Sequence, residues 1–306
     1  MLFRTLILKA SSWKPVKSLV TRSFLFRPLV RRFIAGETLD EAMTVAEGLA
    51  GTCLNVTLDL LGENVASLDE AQASTDAYIE IVERIGKSAK KDKINISIKL
   101  TALGLDQGDD VAEANYRRLL SAAHAHDIFV RADMEASEYT ERTIAMVERV
   151  FPDFPNTGTV LQSYLKRTQD DVERLIKLGC RVRIVKGAYL EPESVAFQDK
   201  SVVDENYVKA AERLLSDAHY PAIATHDAAI ISRVRAYADD KGISKERFEW
   251  QMLYGIRRDL QDSLRDEGYN VRVYVPYGAQ WYPYFSRRLA ERPANMLFIA
   301  KSLFRK

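Results

Sequence analysis

Cysteine and histidine are scarce in this chain of 306 residues, which limits the metal chemistry open to it. The two cysteines, Cys53 and Cys180, lie far apart and match no metal-binding spacing, so we interpret them as reduced, mostly structural thiols of a cytoplasmic protein. The formal net charge is only +1, and no aromatic-rich RNA-binding motif is present. Nucleic acid is therefore not expected as the main partner, because proteins that bind it carry a basic face.

Long hydrophobic runs are missing as well. No stretch of about 18 apolar residues occurs, so no transmembrane helix is predicted. Residues 1–35 are basic and mildly apolar, but they lack the uninterrupted apolar core and cleavage site of a secretory signal. We expect amphipathic helices that pack against the main domain, with membrane-surface contact as the alternative. The basic residues concerned include Arg4, Lys9, Lys14, Lys17 and Arg22.

From residue 56 onward, short β-rich runs alternate with longer helical patterns. The runs cover residues 56–62, 95–101, 128–135, 158–164, 181–189, 221–227, 248–255 and 271–278. Eight strand–helix repeats over roughly 250 residues fit a (β/α)8 barrel better than an open doubly wound sheet. No Gly-x-Gly-x-x-Gly fingerprint follows the first run, which also weakens a Rossmann interpretation. The predicted class is α/β, with a helical segment in residues 1–35 and a barrel domain in residues 36–306.

Polar and apolar residues alternate along several runs, so that one set faces the helices and the other faces the barrel interior. The inward set contains Asp59, Ser97, Lys99, Thr101, Arg131, Asp133, Glu135, Arg272 and Tyr274. Charges buried there are costly unless they are paired. They are expected toward the C-terminal halves of the strands, where barrel enzymes hold their active sites. This pattern favours a catalytic or ligand-binding face, and a structural ion-pair plug is the alternative.

The balance of charge among the polar residues near the strand ends is cationic, which indicates an anionic ligand. These residues are Lys99, Asp133, Gln162, Arg183, Lys186, His226, Gln251 and Tyr274. In the C-terminal stretch "WYPYFSRRLAERPAN", Tyr284, Arg287, Arg288 and Glu291 share one helical face. Paired guanidinium groups suit a carboxylate or a phosphate, because they offer bidentate donors. A solvated helix face is the alternative.

Three further expectations concern single residues. Arg183 and Lys186 have opposite parity, so we expect Lys186 to lie beyond its strand, where Gly187 bends the chain. His226 is the histidine expected at the site, and capping of the following turn is its alternative role. Asp133 and Glu135 resemble a glycosidase acid pair. However, their cationic surroundings are expected to hold both carboxylates ionised, with Asp133 orienting Lys99 or an arginine.

Eight motifs in uninterrupted order make the chain similar to the proline dehydrogenase family. They are "SIKLT", "DME", "LQSYL", "RIVKGAY", "PAIATHD", "FEWQMLYGIR", "RVYVPYG" and "PYFSRRLAERPAN". The resemblance extends from about residue 36 to the C-terminus. It implies a distorted (β/α)8 barrel that binds FAD non-covalently, requires no metal, and oxidises L-proline to Δ1-pyrroline-5-carboxylate beneath a C-terminal helix.

The resemblance also implies roles for individual residues. Arg287, Arg288 and Lys99 would hold the proline carboxylate. The pocket around the ring would be shaped by Asp133, Leu253, Tyr274 and Tyr284, and Glu291 would join the ion-pair network that orders the last helix. Arg183 would lie near the hydride-accepting nitrogen of the flavin. The FAD site would consist of Asp133, Met134, Gln162, Arg183, Val185, Lys186, Gly187, Ala188, Tyr189, Thr225, His226, Gln251 and Met252.

Partners follow from the same resemblance. A membrane quinone would reoxidise the flavin, so the basic N-terminal segment is a candidate for peripheral membrane contact. With 306 residues the chain has no room for the second domain of long bifunctional relatives, so a separate pyrroline-5-carboxylate dehydrogenase is expected. Two rival functions are a barrel enzyme that uses Lys99 as a Schiff-base nucleophile on a phosphorylated carbonyl compound, and an inactive sensor of an anionic metabolite.

Overall fold

The computed structural model describes residues 27–291, including the side chains of residues 27–288. Eight parallel strands pair in sequence order, and β8 pairs with β1 to close a barrel. The strands are β1 (Asn55–Leu60), β2 (Ile94–Ile98), β3 (Val130–Ala132), β4 (Thr157–Gln162), β5 (Arg181–Val185), β6 (Ala222–Ala224), β7 (Glu249–Leu253) and β8 (Asn270–Tyr277). The predicted (β/α)8 class is confirmed.

Helices follow every strand in this part of the chain. They are α1 (Arg27–Arg31), α2 (Leu39–Gly51), α3 (Leu68–Gly86), α4 (Asp109–Ala125), α5 (Ser137–Val150), α6 (Thr168–Leu178), α7 (Lys200–Asp217), α8 (Ala228–Asp240), α9 (Arg258–Asp266) and α10 (Trp281–Glu291). Short 3-10 helices cover Lys91–Lys93, Thr101–Leu103 and Lys245–Arg247. None of the helices among residues 27–291 is long and apolar enough to cross a membrane.

The main core lies between the outer face of the barrel and its helices. The outward-facing residues of β2 and β8, such as Ile96, Ile98, Val271 and Val273, are buried in this core together with apolar residues of the helices. The predicted alternation of these strands is therefore confirmed. Full burial of each branched side chain stabilises the fold by about 1.5–3 kcal/mol.

The helix after β8 does not complete the ring, and this distorts the barrel. Instead α2, which precedes β1, packs against β1 and β8. Helix α10 joins a second apolar cluster that includes Phe285, Phe33 and Ile256. The same cluster includes Leu61, just beyond β1, and contacts Leu253 at the end of β7. Helix α10 consequently lies at the C-terminal ends of the strands rather than on the side of the barrel.

The described end of the N-terminal segment packs onto this region. Leu29, Phe33 and Ile34 are buried, and the Ala35 N–H donates to the Pro276 carbonyl at 2.9 Å. Residues 1–26, including the basic residues Arg4 to Arg22, lie outside the described part of the chain. Packing against the barrel therefore applies to residues 27–35.

Candidate active site

The barrel interior contains charged residues at two levels. At the lower level, Arg272 and Glu249 form a buried ion pair of 2.8 Å near the starts of β8 and β7. Buried Arg131 donates to the carbonyl of Arg181, the first residue of β5, at 3.3 Å. The expectation that all inward charges gather at the C-terminal ends is therefore wrong for Arg131 and Arg272. Alternation determines which way a side chain points but not its height along the barrel axis.

Asp133 is the centre of the upper level. Its Oδ1 accepts a hydrogen bond from Arg183 Nη1 at 2.7 Å, and its Oδ2 accepts one from the Tyr274 hydroxyl at 2.6 Å. The Arg183 guanidinium also lies over the Tyr274 ring, 5.2 Å from its centroid. Burial and the neighbouring Asp133 carboxylate raise the pKa of Tyr274, so the phenol stays protonated. The arginine that Asp133 orients is thus Arg183.

Two polar residues hold the other edge of the Arg183 guanidinium. Gln251 Oε1 accepts from Arg183 Nε at 2.5 Å, and Ser97 Oγ accepts from Nη2 at 3.2 Å. Because Arg183 is buried and bonded on both sides, its charge is fixed in position at the upper level of the barrel.

Lys99 pairs with a carboxylate on the neighbouring strand. Its Nζ lies 3.0 Å from Asp59 Oδ1, and both side chains are buried. Burial alone would lower the pKa of Lys99. Electrostatic interactions with Asp59, Tyr78 and Asp133 raise this pKa by more than burial lowers it, so the net shift is upward. A Schiff-base nucleophile must be a neutral amine, so this environment disfavours the rival carbonyl chemistry.

Glu135 does not follow the expectation that its cationic surroundings hold it ionised. Burial raises the pKa of Glu135 to about 7, although two hydrogen bonds from Thr101 and the charge of Lys99 act in the opposite direction. The side chain accepts the Thr101 N–H at 3.2 Å and the Thr101 hydroxyl at 2.5 Å. The error arose because β3 ends at Ala132, so strand parity does not extend to Glu135.

Gln162, the last residue of β4, carries a buried acceptor without a hydrogen-bond partner among the described residues. Its Nε2 donates to the carbonyls of Met134 and Glu135 at 3.1 and 3.0 Å. These two carbonyls determine the amide orientation, because a flipped amide would place oxygen against oxygen. Oε1 therefore remains as an unsatisfied acceptor. Such an atom indicates a missing donor at this position.

The segment after β5, residues 185–189, is half-buried, and we call it the cradle. Gly187 has φ +115°, and a Cβ at this residue would lie 2.5 Å from the ring of Tyr164. Lys186 lies beyond the strand end, as expected, and its Nζ contacts Asp204 at 2.5 Å and Asp227 at 2.9 Å. Val185, Ala188 and Tyr189, also predicted for the cofactor site, are half-buried along the same segment.

The ends of β6 and β7 are joined by His226. Its Nε2 accepts the Leu253 N–H at 3.0 Å. The N-terminus of α8 is capped by Asp227, whose Oδ1 accepts the Ala229 N–H, so the alternative role expected for His226 is wrong. Thr225 accepts the Asp227 N–H at 3.1 Å. Local hydrogen bonds thus fix this edge of the site.

Two predicted cofactor residues direct their side chains elsewhere. Met134 and Met252 are buried in the main hydrophobic core, outside the barrel interior. The backbone of Met134 still borders the site, since its carbonyl accepts from Gln162. Met252 follows the alternation of β7, with Gln251 on the inner side, whereas Met134 lies two residues past the end of β3.

Helix α10 brings its arginines to the C-terminal ends of the strands. Arg287 Nη1 lies 3.8 Å from Glu63 Oε1 in the β1–α3 connection. The Arg288 guanidinium lies over the Tyr284 ring, 5.2 Å from its centroid. Tyr284 is buried, so this face is not simply solvated. The Glu291 side chain lies outside the described residues.

Several residues of this region were not selected from the sequence. Glu63, Asp204 and Asp227 each pair with a predicted basic residue. Asp59 was expected inside the barrel, but not as the partner of Lys99. Glu63 and Asp227 each follow a strand end by a few residues, a signal that could have identified them. Asp204, inside α7, offered no such signal.

The region thus contains fixed cations, a buried tyrosine hydroxyl and, in Gln162, an amide oxygen without a hydrogen-bond donor among the described residues. Within residues 27–288, no cluster of His, Cys, Asp and Glu side chains is arranged to hold a metal ion. Fold and geometry together define a (β/α)8 barrel with a cation-rich region at the C-terminal ends of its strands, the end where barrel enzymes hold their active sites.

Comparison with known proteins agrees with this class. A family model described as proline dehydrogenase matches residues 42–301. The chain is 40% identical over 287 residues to proline dehydrogenase 2 of Bacillus subtilis, covering 94% of both chains. It is also 40% identical over 280 residues to proline dehydrogenase of Deinococcus radiodurans, covering 90% of both. The chain therefore belongs to the proline dehydrogenase family.

A solved structure shows the same architecture. Proline utilization A from Bdellovibrio bacteriovorus, inactivated by N-propargylglycine, superposes with a TM-score of 0.82 at 27% identity. The match covers 94% of this chain and 36% of that longer chain. The barrel described above thus corresponds to about one third of the larger protein.

Proposed function

We propose that this enzyme binds FAD and oxidises L-proline to Δ1-pyrroline-5-carboxylate. The observation that carries the proposal is the unsatisfied Gln162 Oε1 beside the buried Arg183 network. An isoalloxazine ring offers an imide N–H donor for such an acceptor, so the residues present fit the cofactor. The half-buried cradle around Gly187, with Lys186 beside it, would hold the phosphate-bearing part of FAD.

Arg287, Arg288 and Lys99 would bind the carboxylate of proline. Lys99 remains an ammonium group, and the two guanidinium groups on α10 offer bidentate donors. Anchoring the carboxylate would orient the ring of the substrate, and correct orientation accounts for a large part of catalysis in such reactions. Leu253, Tyr274 and Tyr284 would enclose the ring, with Tyr284 at the edge where a hydroxyl substituent would be sensed.

Bound FAD would supply the hydride acceptor. Arg183 would place a positive charge beside the cofactor ring and stabilise negative charge there. Asp133 would keep Arg183 and Tyr274 in position. The cations around the substrate would lower the pKa of its amine, which must lose a proton before hydride can leave, and water would take that proton.

The proposal includes three partners. Electrons would pass to a membrane quinone, and the basic residues between Arg4 and Arg22 would contact the bilayer. The product would pass to a separate pyrroline-5-carboxylate dehydrogenase, since the similar Bacillus subtilis chain carries a single-activity name over 94% of its length. Co-sedimentation with anionic liposomes, with oxidised and reduced enzyme, tests the membrane contact. Absence of binding in both states contradicts it.

Colour is the decisive test of function. Purified protein should show flavin absorbance that bleaches anaerobically when L-proline is added. Protein that stays colourless after incubation with FAD contradicts the proposal. Coloured protein that binds proline without bleaching supports the sensor, and borohydride trapping of a carbonyl substrate on Lys99 supports the Schiff-base enzyme.

The substrate clamp has its own test. Arg288→Ala should raise the KM for L-proline at least tenfold, because one charge-assisted pair is lost, while the FAD content stays unchanged. Equal loss of FAD would show that Arg288 serves the cofactor instead.

A further inference from the structure

A chain of hydrogen bonds joins three connections at the C-terminal ends of β1, β2 and β3. Asn64, in the β1–α3 connection, donates its backbone N–H to the Thr101 hydroxyl at 3.2 Å. That hydroxyl donates to Glu135 Oε2 at 2.5 Å, and the Thr101 N–H donates to Oε1 at 3.2 Å. Glu135 and Thr101 are 3% and 0% exposed, so water does not compete for these bonds.

The direction of each bond in this chain is determined. A backbone amide can only donate, and a threonine hydroxyl has a single proton. An ionised Glu135 carboxylate can only accept, so the hydroxyl proton then points to Glu135 while the Asn64 N–H occupies a lone pair of the hydroxyl oxygen. An ionised carboxylate makes this a charge-assisted hydrogen bond, which is roughly twice as strong as a neutral one.

Asn64 directly follows Glu63, the residue that contacts helix α10. Glu63 pairs with Arg287 at 3.8 Å, and Asn64 holds a left-handed backbone with φ +55° that is uncommon for residues other than glycine. The Val65 carbonyl accepts from Gln107 Nε2 at 2.8 Å. Polar contacts from the β2–α4 connection therefore hold the backbone on the C-terminal side of Glu63.

We propose that Glu135 is a positioning residue for substrate binding, which acts through Thr101 and Asn64 to place Glu63 beside Arg287. This inference rests on the proposed role of Arg287 in binding the substrate carboxylate. The backbone of Glu135 faces the other half of the site, since its carbonyl accepts from Gln162 at 3.0 Å. One residue thus links the proposed cofactor amide to the proposed substrate clamp.

The surroundings of Glu135 make its positioning of Glu63 sensitive to pH. Charged and titratable groups interact with it from five elements: Lys99 after β2, Glu63 after β1, Tyr78 on α3, Tyr139 on α5 and Tyr189 after β5. Burial and the charge of Glu63 raise the pKa of Glu135 to about 7, although the hydrogen bonds from Thr101 and the charge of Lys99 lower it. Protonation removes the charge-assisted bond, so substrate affinity is expected to weaken as the pH falls below about 7.

The test measures binding of cyclopentanecarboxylate to the FAD-loaded enzyme by calorimetry. This five-membered ring carries a carboxylate but no amine, so its charge is constant between about pH 6 and 9. Thr101→Val should weaken binding about tenfold, the size of one charge-assisted hydrogen bond. Thr101→Ser should restore it. For L-proline, KM should rise by a similar factor while kcat stays within about twofold.

A matched control separates this effect from loss of a buried hydroxyl in general. Thr143 on α5 is 0% exposed, and its Oγ1 has no hydrogen-bond partner among the described residues, so Thr143→Val should bind like the wild type. Glu135→Gln should bind weakly at every pH and lose the dependence near pH 7.

Two results would overturn the inference. One is unchanged affinity in Thr101→Val and Glu135→Gln, and the other is a pH profile that persists in Glu135→Gln. Failure of the proposed function looks different, because the wild type itself would then bind neither ligand, or Arg287→Ala would bind both as tightly as the wild type.

Discussion

The Lys99 ammonium lies 3.0 Å from the Asp59 carboxylate, inside a barrel that also holds the pair of Asp133 and Arg183 and the pair of Glu249 and Arg272. Asp59 is 1% exposed, so the two charges depend on each other and not on water. Breaking a buried pair by removing one partner costs more than removing both, because an uncompensated charge remains. The fold therefore keeps the Lys99 cation at the upper level of the site only because Asp59 is paired with it.

Asp59→Asn should lower the free energy of unfolding by about 3 kcal/mol, since it leaves the Lys99 charge unpaired. The double variant Asp59→Asn, Lys99→Met should regain most of this loss, although its activity is expected to be lost. Urea unfolding followed by circular dichroism measures both. Equal stability of the single and double variants would show that Lys99 does not depend on Asp59.

Gly187→Ala should reduce both stability and FAD content. The backbone at φ +115° is strained for alanine, and the new Cβ would lie 2.5 Å from the Tyr164 ring, so the cradle must shift. Gly179→Ala is the control, because Gly179 has φ +80° but no atom within 4 Å of the added Cβ. It should cost about 1 kcal/mol from backbone strain alone and leave FAD content intact.

Equal FAD content in the Gly187→Ala and Gly179→Ala variants would contradict the cradle. Absorbance of the purified proteins and thermal unfolding provide the two readouts.

Alternation of polar and apolar residues predicted the barrel, yet it overextended the strands at their C-terminal ends. The run at residues 128–135 contains the strand Val130–Ala132, and the run at residues 181–189 contains Arg181–Val185. The excess residues include Asp133, which lies past the ladder but continues the polar pattern of its run, whereas Lys186 was expected beyond its strand. Parity holds only while a residue belongs to a strand, which is why the environment of Glu135 was misjudged.

Partners across connections could not be predicted in the same way. The contact of Glu63 with Arg287 depends on the placement of α10 at the strand ends, and that placement follows from α2 packing on β1 and β8. No local pattern encodes such a packing choice, because it is decided by tertiary contacts. The cationic character of the site, by contrast, was visible in the residue types alone.

Gln162→Leu should weaken FAD binding about tenfold, because it removes the acceptor that has no other hydrogen-bond partner among the described residues. Gln107→Leu is the matched control. Gln107 also donates from Nε2 to a backbone carbonyl and also has a buried Oε1 without a partner in the described part of the chain, but it lies in the β2–α4 connection. Fluorescence titration of the apoenzyme with FAD compares them, and equal weakening would remove Gln162 from the cofactor site.

Arg183→Met should lower the two-electron reduction potential of the bound flavin by about 30–60 mV, which corresponds to one charge-assisted hydrogen bond. Arg183→Lys should show a smaller change, because it keeps the charge but loses part of the bond pattern with Asp133 and Gln251. Spectroelectrochemical titration measures the potential. Arg288→Ala should leave it unchanged, and identical shifts in the Arg183 and Arg288 variants would show that the two arginines do not divide their tasks.

Relative to the wild type, Glu135→Gln should stabilise the fold more at alkaline pH than at acidic pH, although it is expected to impair substrate binding. The pKa of Glu135 rises from 4.5 to about 7 on folding, so between these values the folded state binds more protons than the unfolded state. Wild-type stability contributed by this group is therefore present below about pH 4.5 and lost as the pH rises through 7. The variant does not lose this stability. The difference between its free energy of unfolding and that of the wild type should therefore grow by up to about 3 kcal/mol between pH 5 and pH 8.

Urea unfolding of both proteins at these two pH values tests the sign. A constant difference would mean that Glu135 is ionised throughout, and its bonds with Thr101 would then stabilise the fold at neutral pH instead of opposing it. The expected result has the opposite meaning. A carboxylate that destabilises the folded chain at neutral pH, yet positions the loop beside Arg287, is retained for binding and not for stability.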